Sequence, residues 1–465
     1  MSHSYDVVVI GAGPAGLAAA TVAAGQGAST LLLDEQPAVG GQIYRAIERT
    51  RNATELRRVL GPDFTHGDDL VARYHASGAE YAPGSAVWQI TADREVWSTR
   101  AGKSQASRAG AVILATGAME RPVPVPGWTL PGVMTAGAVQ ILLKSSGLLP
   151  SKGLVLAGSG PLLYLLAWQL VQAGCMPTAL LDTATSDNFN RALRHLPGVL
   201  RPTALGYLRK GIALKLALRR AGQVTYKGVT NIRIEGGERC EAVSFRCGEA
   251  PMRVVATAVA LHEGVIPAQQ ATRSIGCAHV WDEVQRCFRP QLDVWGNTSV
   301  AGILVAGDAG GIGGARAAEH GGRIAGWEAL RHLGRIDAAG RDQTAAADHA
   351  GLAAHLAVRP MLDQMFAPRE EILRPANEVV VCRCEEITAG DIRGVVARGC
   401  QGPNQAKAFL RAGMGPCQGR MCGPAVSELI AAELDQPVAD VGYYRIRPPL
   451  KPVTVGELAA LEIDA

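Results

Sequence analysis

Two groups of residues in this sequence have the types and spacing that chemistry requires. The first is Gly11-Ala-Gly13-Pro14-Ala15-Gly16, directly after an apolar run from Val7, with Asp34 standing 18 positions beyond Gly16. Glycines so spaced supply a tight turn, a close approach of backbone to a diphosphate and close packing of helix on sheet. The acid is placed for a ribose hydroxyl. The second group is Cys382-Arg-Cys384 with Cys417-Gln-Gly-Arg-Met-Cys422. Four thiolates in one short segment satisfy either a tetrahedral zinc or the two irons of a [2Fe–2S] cluster. A structural zinc usually shows Cys-x₂₋₄-Cys twice, and the single residue between Cys382 and Cys384 favours iron–sulfur. The other six cysteines (Cys175, Cys240, Cys247, Cys277, Cys287 and Cys400) are scattered and read as ordinary thiols.

The elements that must position the first group are a strand from Asp6 or Val7, a helix from Pro14 and a strand through Leu31-Leu32-Leu33 to Asp34-Glu35. A diphosphate then meets the free N–H groups and positive end of that helix. Gly40-Gly41-Gln42 follows. Glu48 to His75 reads as helical, and Ala86-Val87-Trp-Gln-Ile90 as a short strand opening a small antiparallel insert. Ala111 to Thr116 reads as a buried parallel strand stopped by Gly117. Arg121 to Gly132 is rich in proline and reads as a crossing between domains.

A second strand–turn–helix–strand pattern runs from Gly153 through Gly158-Ser-Gly160 to Asp182, but its third glycine position is Leu163. A leucine there is expected to push helix from strand or close the cradle, leaving open whether a second nucleotide binds. The chain returns at Val300 with a strand ending in Ala306-Gly307-Asp308, just before a glycine-rich turn. Asp308 is placed either to cap the next helix or to hydrogen-bond a cofactor. Gln343 to Met365 reads as a helix, Ala367 to Asn377 as a linker, and Arg445 to Val453 as a proline-stiffened arm lying across another surface. In the cysteine segment, Thr388-Ala-Gly-Asp391 is a capping box, Asn404 to Arg411 a helix ended near Gly413, and Pro424 the first turn of a third helix. The N–H groups of Gly415, Gly419 and Gly423 are expected to face the sulfurs.

At 465 residues with 48% hydrophobic content the chain is long enough for about three cores. A net charge of +4 argues for neither nucleic acid nor a membrane surface. The basic stretch Arg209 to Arg220 reads as a solvated helix face with Leu208, Ile212, Ala213 and Leu216 inward. No signal segment or membrane span is evident, so a cytoplasmic protein with reduced thiols is expected. His66, His75, His320 and His355 have no orienting partner in the sequence and read as surface or packing residues. No acid–base catalyst is predicted.

These motifs, with Gly41-Gln-Ile-Tyr-Arg45 and Pro126-Gly-Trp-Thr-Leu-Pro-Gly132, resemble over nearly the whole chain the α subunits of bacterial heteromeric amine and opine dehydrogenases. That group includes the opine oxidase A subunits, D-hydroxyproline dehydrogenase α and the hydrogen cyanide synthase B subunit. Residues 378–432 resemble the bacterioferritin-associated-ferredoxin type of [2Fe–2S] domain. The resemblance implies an α/β fold of two Rossmann-like domains of pyridine nucleotide-disulfide reductase type, the second inserted in the first, plus a small helical [2Fe–2S] domain. The expected boundaries are 1–125 and 269–335 for the FAD-binding domain, 126–268 for the inserted domain, 336–377 for helix and linker, 378–432 for the cluster domain and 433–465 for the arm. FAD is then held by Gly11, Gly13, Pro14, Ala15 and Gly16 at the diphosphate and by Asp34, helped by Glu35, at the ribose. Gly41 and Gln42 approach the flavin, Val87 the adenine, Thr116 and Gly117 the diphosphate face, and Asp308 the ribityl chain. Cys382, Cys384, Cys417 and Cys422 are the cluster ligands. The implied function is electron transfer from a secondary amine or imino acid oxidised on a β subunit resembling D-amino-acid oxidases. Further features the resemblance allows are a second nucleotide (NAD or ATP), an FMN at a subunit interface and a small ferredoxin-like γ subunit. Alternatives are a self-sufficient NAD(P)H-dependent flavin reductase and a scaffold with a structural nucleotide.

Overall fold

The computed structural model describes residues 3–461. Short helical turns aside, the chain begins with β1 (His3–Ile10), α1 (Pro14–Gly25), β2 (Thr30–Asp34), α2 (Gly67–Ala76), β3 (Glu80–Pro83), β4 (Ala86–Ile90), β5 (Glu95–Arg100) and β6 (Lys103–Leu114). An inserted unit follows: β7 (Val133–Thr135), α3 (Ala136–Ser146), β8 (Leu154–Ser159), α4 (Pro161–Gln172), β9 (Ala179–Asp182), α5 (Pro202–Arg220), β10 (Thr225–Lys227) and β11 (Ala258–Glu263). The chain then returns with β12 (Ile303–Val305), α6 (Ala315–His332) and α7 (Ala338–Leu356). A last unit carries α8 (Ala389–Val396), α9 (Pro403–Leu410) and α10 (Gly423–Leu434).

In the first sheet β3, β2, β1, β6 and β12 are parallel neighbours in that order. The long β6 also turns antiparallel to β5, which pairs β4. Val7, Val9, Leu32, Ala111 and Ile113 are fully buried, as a parallel sheet covered on both faces demands. Each large apolar side chain among them contributes roughly 1.5–3 kcal/mol on burial. Helix α6 lies against α1 through small residues: a Cβ at Gly322 would sit 2.1 Å from the Ala15 carbonyl oxygen. The returning segment is thereby locked over the start of α1. The second sheet, ordered β10-β9-β8-β11-β7, is parallel throughout. The antiparallel meander Val229–Glu235, Ala242–Cys247 and Ala250–Val255 supplies its crossover to β11.

Glu48 to His75 is helical from Thr54 onward, in three helices (Thr54–Leu60, Pro62–Thr65 and α2) that break at Gly61 and His66. Two local expectations are corrected. On α5 only Ala204 and Leu218 are buried, and Ile212 and Leu216 are exposed, so the expected inward face is open. The segment 367–377 is no free linker. It holds a helical turn, Glu370–Leu373, and the Arg369 guanidinium is buried against Glu263 of β11, with Nε 2.8 Å from the carboxylate.

The cysteine unit is docked rather than tethered. Arg286 Nε donates to the fully buried Glu428 on α10 at 2.8 Å. Phe288 packs on Tyr443, and the Arg273 guanidinium stacks on both rings. The arm crosses the front domain: Leu450 N–H donates to the Trp88 carbonyl at 2.7 Å, and Lys451 pairs with Glu35 at 2.7 Å.

Candidate functional site

The front cradle forms where β1, β2, β6 and β12 end. At Gly11 φ is +105°, and a Cβ would lie 2.4 Å from the Ala115 carbonyl oxygen. A Cβ at Gly16 would meet the Gly11 carbonyl oxygen at 1.8 Å. Gly13, by contrast, faces space, its nearest neighbour being the Gly41 Cα at 3.8 Å from a Cβ. Two glycines therefore serve the turn and one leaves room above it. Gly13 is the N-cap of α1, Pro14 opens the helix, and no side chain caps it, so its first N–H groups remain available to an anion.

Asp34 closes the side of this cradle. Its Oδ2 accepts from Ala12 N–H at 2.5 Å and its Oδ1 from Gln36 N–H at 2.7 Å. Burial holds the carboxyl above its ordinary range, and these two N–H groups offset that only in part. The Gly40 N–H donates to the Ala12 carbonyl at 2.8 Å, which lays Gly41 and the exposed Gln42 beside the turn. Val87 lies at a bulge in β4, and Ser85 N–H holds that strand's start to the Asp34 carbonyl at 2.8 Å. Thr116 donates its hydroxyl to the Ala268 carbonyl at 3.3 Å, and Gly117 is half-buried with open space above it. Asp308 accepts from the N–H groups of Gly313 and Gly314 at 2.8 and 2.9 Å with Oδ1, so it does organise the glycine turn. Both bonds fall on one oxygen, which leaves Oδ2 open to a ligand. Glu35 points to the arm and its ion pair with Lys451.

The second turn opens an uncapped helix as the first does, but differs in its burial and in what stands over it. Gly158, Ser159 and Gly160 are buried, whereas Gly11 and Gly13 are half-exposed. The His262 imidazole stands over Gly160, 3.2 Å from where a Cβ would be, and is fixed by Glu120 at 2.7 Å. Ser159 and Thr183 hydroxyls donate to the buried Glu263, which also holds Arg369. Asp182, the would-be ribose acid, is buried and bonded to the Tyr164 hydroxyl. Leu163 neither displaces the helix nor blocks the turn: it packs into the core with Leu156 and Leu166. His262 stands over the turn, and nothing in the glycine pattern announced it.

In the last unit, Val380–Cys382 pairs with Ile387–Thr388, and Thr388 with Asp391 forms the reciprocal cap of α8. Cys422 is the N-cap of α10, with Pro424 in its first turn. These elements bring the four cysteines together as two cross-pairs. Cys384 Sγ lies 3.8 Å from Cys417 Sγ, and Cys382 shares a hydrogen bond with Cys422. A separation of about 3.8 Å is the edge of a sulfur tetrahedron with metal–sulfur bonds of about 2.3 Å. Two thiol pairs are what two irons require. The Cys422 thiol and the N–H groups of Gly413, Glu385 and Cys384 hold Cys382 down at about 6. Gly415 is needed because Cys384 occupies its Cβ position, while Gly419 and Gly423 make room for the rings of Tyr444 and Tyr443. Tyr444, 3.7 Å from Cys422 Sγ, carries no signal in the cysteine pattern, because it comes from the arm. The six other cysteines stand as free thiols.

The histidines are not isolated. His66 faces Glu319 at 3.0 Å, His75 Glu48 at 2.9 Å, His320 Asp348 at 2.8 Å and His355 the Tyr207 hydroxyl at 2.9 Å. Their partners lie far off in sequence, so spacing could not reveal them.

Residues 5–322 match the family model "pyridine nucleotide-disulphide oxidoreductase", and residues 380–432 match the "BFD-like [2Fe-2S] binding domain". The chain is 46% identical to the opine oxidase A subunit of Rhizobium meliloti (strain 1021), covering 98% of this chain and 99% of the relative. It is 47% identical to the opine oxidase A subunit of Agrobacterium tumefaciens (strain Ach5), covering 99% and 92%. The chain belongs to the opine oxidase A subunit family. This opine oxidase A homologue is also 31% identical to the HcnB subunit of hydrogen cyanide synthase of Pseudomonas aeruginosa over 98% of the chain and 99% of the relative. Its fold is similar to L-proline dehydrogenase from P. horikoshii, with a TM-score of 0.71 at 18% identity over 98% of this chain and 79% of that one. It is an oxidoreductase whose cofactors are FAD and a [2Fe–2S] cluster. Among the described residues no helix is long and apolar enough to cross a membrane.

Proposed function

We propose that this chain is the electron-transfer α subunit of a heteromeric dehydrogenase whose partner oxidises a secondary amine or imino acid, an opine or D-hydroxyproline being of the right kind. The observation that carries this reading is the pairing, in one chain, of an open dinucleotide cradle with a docked two-pair thiol module. The full-length likeness to opine oxidase A subunits supports it. When bound, the flavin accepts two electrons and releases them singly, and the cluster passes one at a time.

The chain's own residues seat and separate these groups. Gly11, Gly13, Pro14, Ala15 and Gly16 present the start of α1 to the FAD diphosphate, and Thr116 and Gly117 bound its other face. Each Asp34 oxygen that accepts a backbone N–H keeps a lone pair for a ribose hydroxyl. The Val87 backbone borders the adenine, Gly41 and Gln42 the flavin, and Asp308 Oδ2 the ribityl chain. Glu35, held by Lys451, steadies the arm beside the ribose. Cys382, Cys384, Cys417 and Cys422 hold the cluster. The partner is a D-amino-acid-oxidase-like β subunit, with an FMN at the shared interface and a small ferredoxin-like γ subunit as further components.

Two other readings are weaker. A self-sufficient NAD(P)H reductase needs the second cradle, where the His262 ring stands over Gly160. A scaffold with a structural nucleotide leaves the gathered thiols without a role. Purification of the native complex under anaerobic conditions tests the proposal. A companion chain should co-purify, and adding its opine should bleach the flavin and cluster bands of this chain, whereas the isolated chain should stay oxidised. Purification of the native protein without any companion, or opine oxidation by the isolated chain, overturns it.

A further inference from the structure

A cleft of about 540 Å³ opens between α1, α2, α6 and α7. That is the size of a small-molecule site. Its floor is apolar, with Ala18, Val22 and Leu70. Its walls carry Arg73, Arg316 and Arg323 together with three histidines, facing the single lining acid Glu319. Positive charge is in excess. Arg323 and His320 are satisfied by Asp348, at 2.7 and 2.8 Å. Glu319 is engaged by the Tyr44 hydroxyl at 3.2 Å and lies 3.0 Å from His66 Nε2. Among the described residues, neither Arg73 nor Arg316 meets a carboxylate.

The one side-chain partner of Arg316 among the described residues is that same His66 Nε2. A single ring nitrogen cannot donate to Glu319 and accept from a guanidinium at once. Whichever of the two His66 Nε2 serves, the other guanidinium N–H groups of Arg316 meet no side-chain acceptor among the described residues. A half-buried guanidinium with no carboxylate partner, at the wall of a ligand-sized cleft that also carries the exposed Arg73, calls for an oxyanion.

We propose that this cleft binds a small dianion, a phosphate monoester or a dicarboxylate, gripped by Arg316 and Arg73. The anion takes the Arg316 donors that His66 cannot satisfy, and the apolar floor receives the ligand's carbon skeleton.

Calorimetric titration of the holoprotein at low ionic strength with inorganic phosphate, and separately with succinate, tests this. Saturable binding at one site per chain is expected for at least one of them, and the stronger of the two identifies the anion class. Binding should weaken about tenfold or more in Arg316→Gln and in Arg73→Gln, since each loses a charge-assisted hydrogen-bonded pair. It should be unchanged in Arg239→Gln, an exposed arginine elsewhere. Arg73 is exposed on α2, so its variant keeps the test alive if Arg316→Gln loses its circular dichroism. Absence of binding by both anions, or equal binding in all variants, overturns the proposal.

Discussion

The Lys144 ammonium lies 3.1 Å from the Gln42 carbonyl oxygen, so α3 of the inserted domain touches the loop beside the proposed flavin seat. Lys144 is buried, and its only side-chain partner among the described residues is Gln140 at 2.9 Å. Burial, with Arg45 nearby, lowers its pKa from 10.5 to about 7. A base whose folded pKa is depressed binds fewer protons folded than unfolded between these two values, so its charge costs stability below about pH 7 and the cost is relieved as pH rises toward 10.5. Lys144→Met should therefore flatten the rise of stability between about pH 7 and 10.5. Thermal unfolding of the holoprotein across that range provides the measurement; parallel curves for the two proteins would refute the buried-charge account.

Gly13→Ala and Gly16→Ala separate cradle from fold. The methyl of Gly13→Ala enters open space, so the unliganded protein should change in stability by under about 1 kcal/mol while flavin content falls. The methyl of Gly16→Ala meets the Gly11 carbonyl and should cost about 1–3 kcal/mol even without cofactor. Denaturant unfolding and flavin absorbance together read both effects.

Cys382→Ser and Cys417→Ser each break one thiol pair and should abolish the cluster's visible absorption while the flavin bands persist. A retained iron–sulfur spectrum would show that the ligand set is misassigned.

Anaerobic mixing with NADH should not bleach the flavin of the isolated chain. Arg369→Ala, which strands the fully buried Glu263, should lower stability by about 3–5 kcal/mol, as loss of one partner in a buried ion pair does. Rapid bleaching of the unaltered chain by NADH would restore the reductase reading.

What could be read in advance was local. Gly11 to Gly16 with Asp34, and the capping box at Thr388, have spacings set within one strand–turn–helix–strand unit or one helix start, so they show in the sequence even though Asp34 bonds Ala12 from 22 positions away. The apolar runs at Val7, Leu31 and Ala111 likewise announce buried parallel strands. The residues that escaped notice act across long separations. His262 closes a turn through Glu120, Arg369 reaches Glu263 from more than a hundred positions away, and Tyr444 meets Cys422 from the arm. The histidines look solitary for the same reason. The exposed Ile212 and Leu216 mislead in another way: amphipathic spacing gives a helix a preferred face without guaranteeing that this chain supplies the surface to cover it.

The arm that places Tyr444 beside Cys422 also hands Leu450 to Trp88 and Lys451 to Glu35. Module exchange among homologues must respect this: a chimera that transplants the thiol module alone would seat a foreign graft under a native buckle. Carrying residues 443–451 along with it keeps lining and fastening from one source, and only then is the gap between the two redox centres inherited intact.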